Sequence, residues 1–251
     1  MTEDDTLKRR FLWLTVLLLL TLWAMPAAAE WTDGELLDYY QGALFVGDSI
    51  SRQLQTFLYH KKLDDPAFVW DVRYANSQSY SLYSASRKNL LKNGTVLNYK
   101  GKDTTLVEVV KQLQPEKMLI LLGVNDYAGE NIEKHIGYCG RILELTKQVS
   151  PETEVIFFSL TPVTKSFCKK KDYRRMWDDY NAALKAFCEE NGAGYMDIDT
   201  PMKNADGYLK ADYSSDGKYH LSPTGLQSWL DSMIAYARQQ AENGLWTPGE
   251  R

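Results

Sequence analysis

Histidine is scarce in this chain: three in 251 residues, His60, His135 and His220. Cysteine is equally sparse, at Cys139, Cys168 and Cys188, with neither C-x-x-C nor zinc-like spacing. That pattern excludes a thiolate metal knuckle and a thioredoxin-type redox pair. One pair could close a disulfide outside the cell, but placement in apolar helical patterns favours buried or free thiols. There is no H-E-x-x-H and no P-loop. Gly192-Ala193-Gly194 precedes an expected strand instead of following one, so it is no dinucleotide fingerprint. A G-x-S-x-G elbow is also missing, since Ser51 stands where its second glycine would be. No basic stripe is present, and a formal net charge of −4 argues against a nucleic-acid partner.

Long hydrophobic runs are absent with one exception, residues 11–23. Lys8-Arg9-Arg10 precedes it and Met25-Pro26-Ala27-Ala28-Ala29 follows. A basic start, a short apolar stretch and a small-residue site predict a secretory signal peptide over residues 1–29, cleaved after Ala29. An uncleaved anchor is the alternative, although the run falls short of the about 20 residues that span a bilayer comfortably. No cysteine follows the run, which argues against a lipoprotein. Residues 1–29 carry equal numbers of basic and acidic groups, so the remainder stays at −4. Residues 30–251 suit one globular domain with a sizeable core. Outside the cell, without a membrane span after cleavage, is therefore the expected location.

Short apolar runs alternate with segments of helical period. Strands are expected at 43–46, 68–74, 117–122, 154–159 and 195–198. Helices are expected at 31–41, 50–60, 106–113, 132–149, 173–191 and 223–241. Residues 96–106 read as a small hairpin or an irregular insertion. Alternating β and α predicts a parallel sheet with helices on both faces and strand order 2-1-3-4-5.

The stretch that organises this pattern is residues 43–54, A-L-F-V-G-D-S-I-S-R-Q-L. A buried strand ends in Gly47-Asp48-Ser49, and a helix begins at the serine. Such a serine sits at the carboxyl edge of the sheet, where open α/β sheets form their crevice. Unpaired N–H groups at a helix start favour developing negative charge there. Ser49 is thus either a nucleophile or merely an N-cap. A serine needs a base, and His220 is the best placed of the three histidines. It lies in Ser214-Ser215-Asp216-Gly217-Lys218-Tyr219-His220, where Asp216 could orient it or could simply form a Ser-Asp-Gly turn. Asn125, in Gly123-Val124-Asn125-Asp126 at the end of the third strand, could supply an oxyanion N–H or cap its loop. The Ser- and Tyr-rich segment 76–86 follows the second strand and should lie on the same rim.

These three motifs, G-D-S-I, G-V-N-D and D-x-x-x-H, occur in the order seen in the SGNH (GDSL-type) hydrolases, and residues 43–240 resemble that family. The resemblance implies a flavodoxin-like α/β/α sandwich that hydrolyses esters, often acetyl or acyl groups on carbohydrates or lipids. It implies Ser49 as nucleophile, His220 as base, Asp216 as its acid and Asn125 as an oxyanion donor. Asp48 and Asp126 would brace their turns. Two positions depart from the family pattern. The acid usually lies three residues before the histidine, where this chain has Gly217. Either the loop holds an extra residue or a backbone carbonyl orients His220. The second oxyanion donor is usually a glycine N–H after strand two, yet residues 76–86 contain no glycine. The N–H of Ser79 is the expected substitute.

The sequence therefore predicts a secreted serine esterase acting on acylated carbohydrate, cell-envelope polymer or lipid, with acetyl the leading acyl group. No metal or cofactor is expected. Tyr and Trp, at 16 and 7 residues, would suit stacking on sugar rings. Two other readings share the fold: an acyltransferase to a sugar hydroxyl, and a glycan-binding protein whose catalytic site has decayed.

Overall fold

The computed structural model describes residues 31–92 and 95–249. The predicted signal segment, 1–29, lies outside them. In chain order the elements are α1 (Asp33–Leu37), β1 (Leu44–Gly47), α2 (Ser49–Asp64), β2 (Arg73–Asn76) and α3 (Leu82–Ala85). A hairpin of β3 (Leu97–Tyr99) and β4 (Lys102–Thr104) follows. The chain continues through α4 (Leu106–Leu113), β5 (Lys117–Leu121), α5 (Ile132–Val149), β6 (Glu154–Phe158), α6 (Tyr173–Asn191), β7 (Gly194–Met196) and α7 (Pro223–Glu242).

Five strands form one parallel sheet in the order β2-β1-β5-β6-β7. Set aside the antiparallel β3–β4 hairpin and this is the expected 2-1-3-4-5. Parallel strands need crossovers that cover both faces. Here α1, α2 and α7 pack together as one layer, and α4, α5 and α6 as the other. The inner strands β1, β5 and β6 are accordingly apolar beyond their first residues, and Leu44, Phe45, Val46, Leu119 and Ile156 are inaccessible or nearly so. Phe45, Phe158 and Trp229 meet under α7, with ring centroids 5.3–5.9 Å apart.

Helix starts follow the local chemistry of capping. Thr105, Asn131, Asp172 and Ser222 each accept a hydrogen bond from the N–H three residues on. Pro223 follows Ser222 at a position where a missing N–H costs nothing.

Two expected strands shift. The aromatic and β-branched run 68–74 suggested strand throughout, but β2 begins at Arg73, and before it only Asp71 O bonds the segment ahead of β1, accepting from Gly42 N–H at 2.7 Å. Trp70 instead packs near Tyr40, 6.2 Å between centroids, and its Nε1–H donates to Tyr74 Oη at 2.8 Å. The last strand ends at Met196, not at 198, since the N–H groups of Ile198 and Asp199 turn away to Ser159 Oγ. Residues 76–86, expected as loop, also contain the short helix α3. All three cysteines are free thiols. Cys139 and Cys188 are buried, while Cys168 is half-exposed in a short 3-10 turn and not in a helix. Burial pushes the Cys139 thiol up to about 12.

Strand order reverses at β1, so the carboxyl ends of β1 and β5 flank the switch point where α/β sheets open a crevice. Gly47 pairs with Leu121 there. A Cβ on Gly47 would stand 2.5 Å from Ser51 Cβ and Oγ and 3.0 Å from the Leu121 carbonyl. The close approach of α2 to the sheet edge therefore requires glycine. Gly47→Ala should cost about 1–3 kcal/mol of stability by overpacking, read as a lowered midpoint in urea unfolding.

Candidate active site

The turn from β1 into α2 settles which residue caps the helix. Asp48, fully buried, is the N-cap, and its Oδ1 accepts from Ile50 N–H at 2.9 Å. Ser49 is the first helical residue, half-buried, with its hydroxyl free of capping work. That hydroxyl lies 3.1 Å from His220 Nε2. On the other side of the ring, Nδ1 lies 2.7 Å from Asp216 Oδ2. An ionised carboxylate only accepts, so Nδ1 carries the proton and Nε2 is left as the acceptor for the serine O–H.

Asp216 reaches the ring from four residues upstream because of its own loop. Its Oδ1 accepts from the N–H groups of Lys218 at 2.7 Å, Tyr219 at 3.1 Å and His220 at 3.3 Å. Gly217, at φ +70°, provides the left-handed bend that makes this possible. Partial burial alone would raise the Asp216 carboxyl. The hydrogen bond from His220 and those from the backbone outweigh it and hold the group below its ordinary value. The extra residue is thus accommodated, and a carboxylate, not a backbone carbonyl, faces Nδ1.

The histidine loop is pinned from three directions. The Gln53 side-chain amide, one turn beyond Ser49 on α2, accepts from Leu221 N–H at 3.1 Å and donates to Leu221 O at 3.3 Å. From the loop after β6, Thr164 Oγ1 and Ser166 Oγ donate to Gly217 O at 2.6 and 2.7 Å, and Thr164 N–H donates to Lys218 O. Tyr219 lies against the imidazole, 4.8 Å between centroids, and is backed by Phe167 and Trp177. Sequence reasoning missed Gln53, Thr164 and Ser166. Thr164 and Ser166 had one available signal, their place in the loop that follows β6, and Gln53, on α2, had none.

Asn125 stands at the same rim, but both of its amide protons are engaged. Nδ2 donates to Asp48 Oδ2 at 3.0 Å and to Tyr80 O at 3.1 Å. Asp126 beside it accepts from Leu82 N–H at 2.7 Å and Tyr83 N–H at 3.1 Å, fastening the loop after β2 to the loop after β5. In that fastened loop Ser79 adopts φ +60°. A non-glycine residue thus takes the backbone conformation that glycine usually supplies. Neither the Ser49 N–H nor the Ser79 N–H has an acceptor among the described residues. His135, by contrast, is buried and donates from Nδ1 to Ala128 O at 2.8 Å, and His60 is exposed on α2.

A hydroxyl, an imidazole and a carboxylate stand in series at the switch-point crevice of an α/β/α sandwich, the arrangement that serine-hydrolase chemistry requires. The model of the GDSL-like Lipase/Acylhydrolase family matches residues 45–227, and the chain belongs to that family of ester-hydrolysing enzymes. Among solved structures, a GDSL-like lipase from Bacteroides thetaiotaomicron VPI-5482 superposes with a TM-score of 0.57 at 17% identity, covering 81% of this chain and 90% of that one. An acetylxylan esterase from Geobacillus stearothermophilus gives a TM-score of 0.56 at 13% identity, covering 78% of this chain and 93% of its own. At such identities the likeness is one of fold. No curated protein sequence matches the chain.

Burial raises the Asp48 carboxyl from the ordinary 3.8 to about 7, despite hydrogen bonds from Ile50 and Ser51 and the nearby His220. Between those two pH values the folded state keeps a proton that the unfolded chain releases. The stability contributed by Asp48 therefore falls as pH rises through this window. Asp48→Asn should flatten that part of the profile, measured as the difference between variant and parent unfolding free energies across a pH series.

Proposed function

We propose that the chain is an exported serine esterase that removes acyl groups, acetyl foremost, from a carbohydrate or cell-envelope polymer. The observation that carries this reading is the unbroken Ser49–His220–Asp216 hydrogen-bond chain at the crevice. His220 Nε2 takes the Ser49 proton as Oγ attacks the ester carbonyl, and Asp216 stabilises the resulting imidazolium. The tetrahedral oxyanion is received by the N–H groups of Ser49 and Ser79. Asn125 joins them by sharing the proton it now directs to the Tyr80 carbonyl. On collapse His220 returns the proton to the departing alcohol. A water molecule then attacks the acyl-enzyme by the same route, with His220 again as base. The mechanism calls for no metal or cofactor.

The positive φ of Ser79 bears on the missing glycine, the feature that suggested a decayed glycan-binding site: a serine holds the required backbone conformation. Transfer of the acyl group to a sugar hydroxyl uses the same residues, and nothing in the site's geometry favours it. Export rests on the basic, apolar and small-residue order of residues 1–29. The carbohydrate substrate draws support from the acetylxylan esterase that shares the fold. Among the described residues no helix is long and apolar enough to cross a membrane.

A fluorophosphonate probe should label the parent protein at Ser49. Ser49→Ala and His220→Ala should each lower turnover of p-nitrophenyl acetate by ~10³-fold or more. Absence of labelling and turnover in the parent would overturn the esterase reading.

The Ser79 donor has its own test. Ser79→Gly should retain full turnover, because glycine accepts φ +60° and keeps the N–H. Ser79→Val keeps the N–H but its β-branched side chain disfavours positive φ, so it should turn the donor away and lower kcat by about 10²–10³-fold, with circular dichroism confirming that the variant folds.

A further inference from the structure

Ser49 opens into a cleft of about 960 Å³ between α2 and the first turn of α7. One face of α2 forms its floor, from Ser49 through Arg52, Thr56 and His60 to Asp64. At 1.5 Å per residue this face runs roughly 22 Å past the nucleophile. Pro223, Leu226 and Gln227 form the facing wall, and Lys61 Nζ reaches Gln227 Oε1 at 3.5 Å to tie the two sides. Gln78, from the loop after β2, closes the serine end.

An acetyl group occupies only the end of such a cleft at the serine. The remaining length must hold the alcohol part of the ester or a long acyl chain. The lining decides between them. Apart from Phe57, Pro223 and Leu226, every side chain along the cleft is polar or charged. A hydrocarbon chain would strip water from Arg52, His60 and Asp64, which line the cleft, and return no hydrogen bonds, which is costly. A polyhydroxylated chain returns them. Phe57 supplies the apolar contact that the carbon face of a sugar ring requires. It is half-buried, and its ring pairs with no other aromatic ring among the described residues, unlike Phe45, Phe68, Phe157, Phe158 and Phe167. It sits roughly 12 Å along α2 from Ser49.

We propose that this cleft is an oligosaccharide groove, with the acylated sugar at Ser49, its neighbouring units laid along α2, and one ring stacked on Phe57. The inference rests on Ser49 being the nucleophile of an esterase.

The test compares kcat/KM on three substrate series: p-nitrophenyl acetate, acetylated xylo- and chito-oligosaccharides of increasing length, and p-nitrophenyl esters of increasing acyl length. For the parent, kcat/KM should rise with oligosaccharide length, chiefly through KM, in at least one sugar series. Phe57→Leu should lower kcat/KM on the longest oligosaccharide of that series by about three- to tenfold beyond any change on p-nitrophenyl acetate. Phe57→Trp, which keeps an aromatic face, should restore the length dependence, and a thermal melt of each variant separates this from unfolding. Flat dependence on sugar length, equal loss on both substrate types, or a rise with acyl length in its place would overturn the groove. A parent inactive on every ester would instead remove the nucleophile assignment on which it stands.

Discussion

The contact between Ser49 and His220 joins residues 171 positions apart, and the rest of the molecule works to keep those two atoms at 3.1 Å. A single hydrogen bond of this kind contributes only about 1 kcal/mol on its own. It cannot hold a loop in place. The position of the imidazole comes instead from the clamps around it: the amide of Gln53 from below, the hydroxyls of Thr164 and Ser166 from the side, and the ring of Tyr219 against one face. Gln53 is anchored on α2, Thr164 and Ser166 in the loop after β6, and Tyr219, within the histidine loop, rests on Phe167 and Trp177. The sheet thus transmits its rigidity to a loop with no regular structure of its own.

Asp48 plays the matching part for the serine. By taking the capping role it leaves the neighbouring hydroxyl unengaged, and with its second oxygen it accepts from Asn125. Asn125 holds the Tyr80 carbonyl, and Asp126 holds the start of α3. The turn after β1, the loop after β5 and the loop after β2 are consequently linked by side chains, not only by the sheet beneath them. A buried carboxylate is an expensive residue to place there. Its raised pKa records that cost, and the three loops it organises are what offsets it. A neutral cap of the same shape would lose one of the two acceptor positions.

The fold was legible because the inner sheet strands are short apolar runs followed by a break, and each main helix carries its own cap. Alternation and handedness restrict the strand order to a few doubly wound arrangements, of which 2-1-3-4-5 was the one expected. The errors fell where tertiary partners decide local structure. Residues 68–72 have the composition of a strand but share a single backbone hydrogen bond, Gly42 N–H to Asp71 O, with the segment ahead of β1, and a serine hydroxyl beyond β6 draws the backbone away after Met196. Ser49, His220 and Asp216 were visible because so few histidines compete for the role. Gln53 was not, since a glutamine on a helix has no signature until the residue it clamps is known.

The two departures from the family's pattern share one physical explanation. In both places the chemistry needs an atom at a given point, a backbone N–H in one and a carboxylate oxygen in the other, and the bend of the loop sets which residue delivers it. A glycine is the easiest way to reach positive φ, yet the loop after β2 is fastened at Asn125 and Asp126 firmly enough to hold Ser79 in that region. Strain of this size, of order 1 kcal/mol or somewhat more, persists only where the surroundings over-determine the conformation. In the histidine loop a glycine stands at position 217, where its freedom bends the chain and lets an aspartate one residue further back reach the ring nitrogen. Motif spacing is therefore a proxy for where atoms arrive, and a loop with an added residue satisfies the chemistry when its bend compensates for its length.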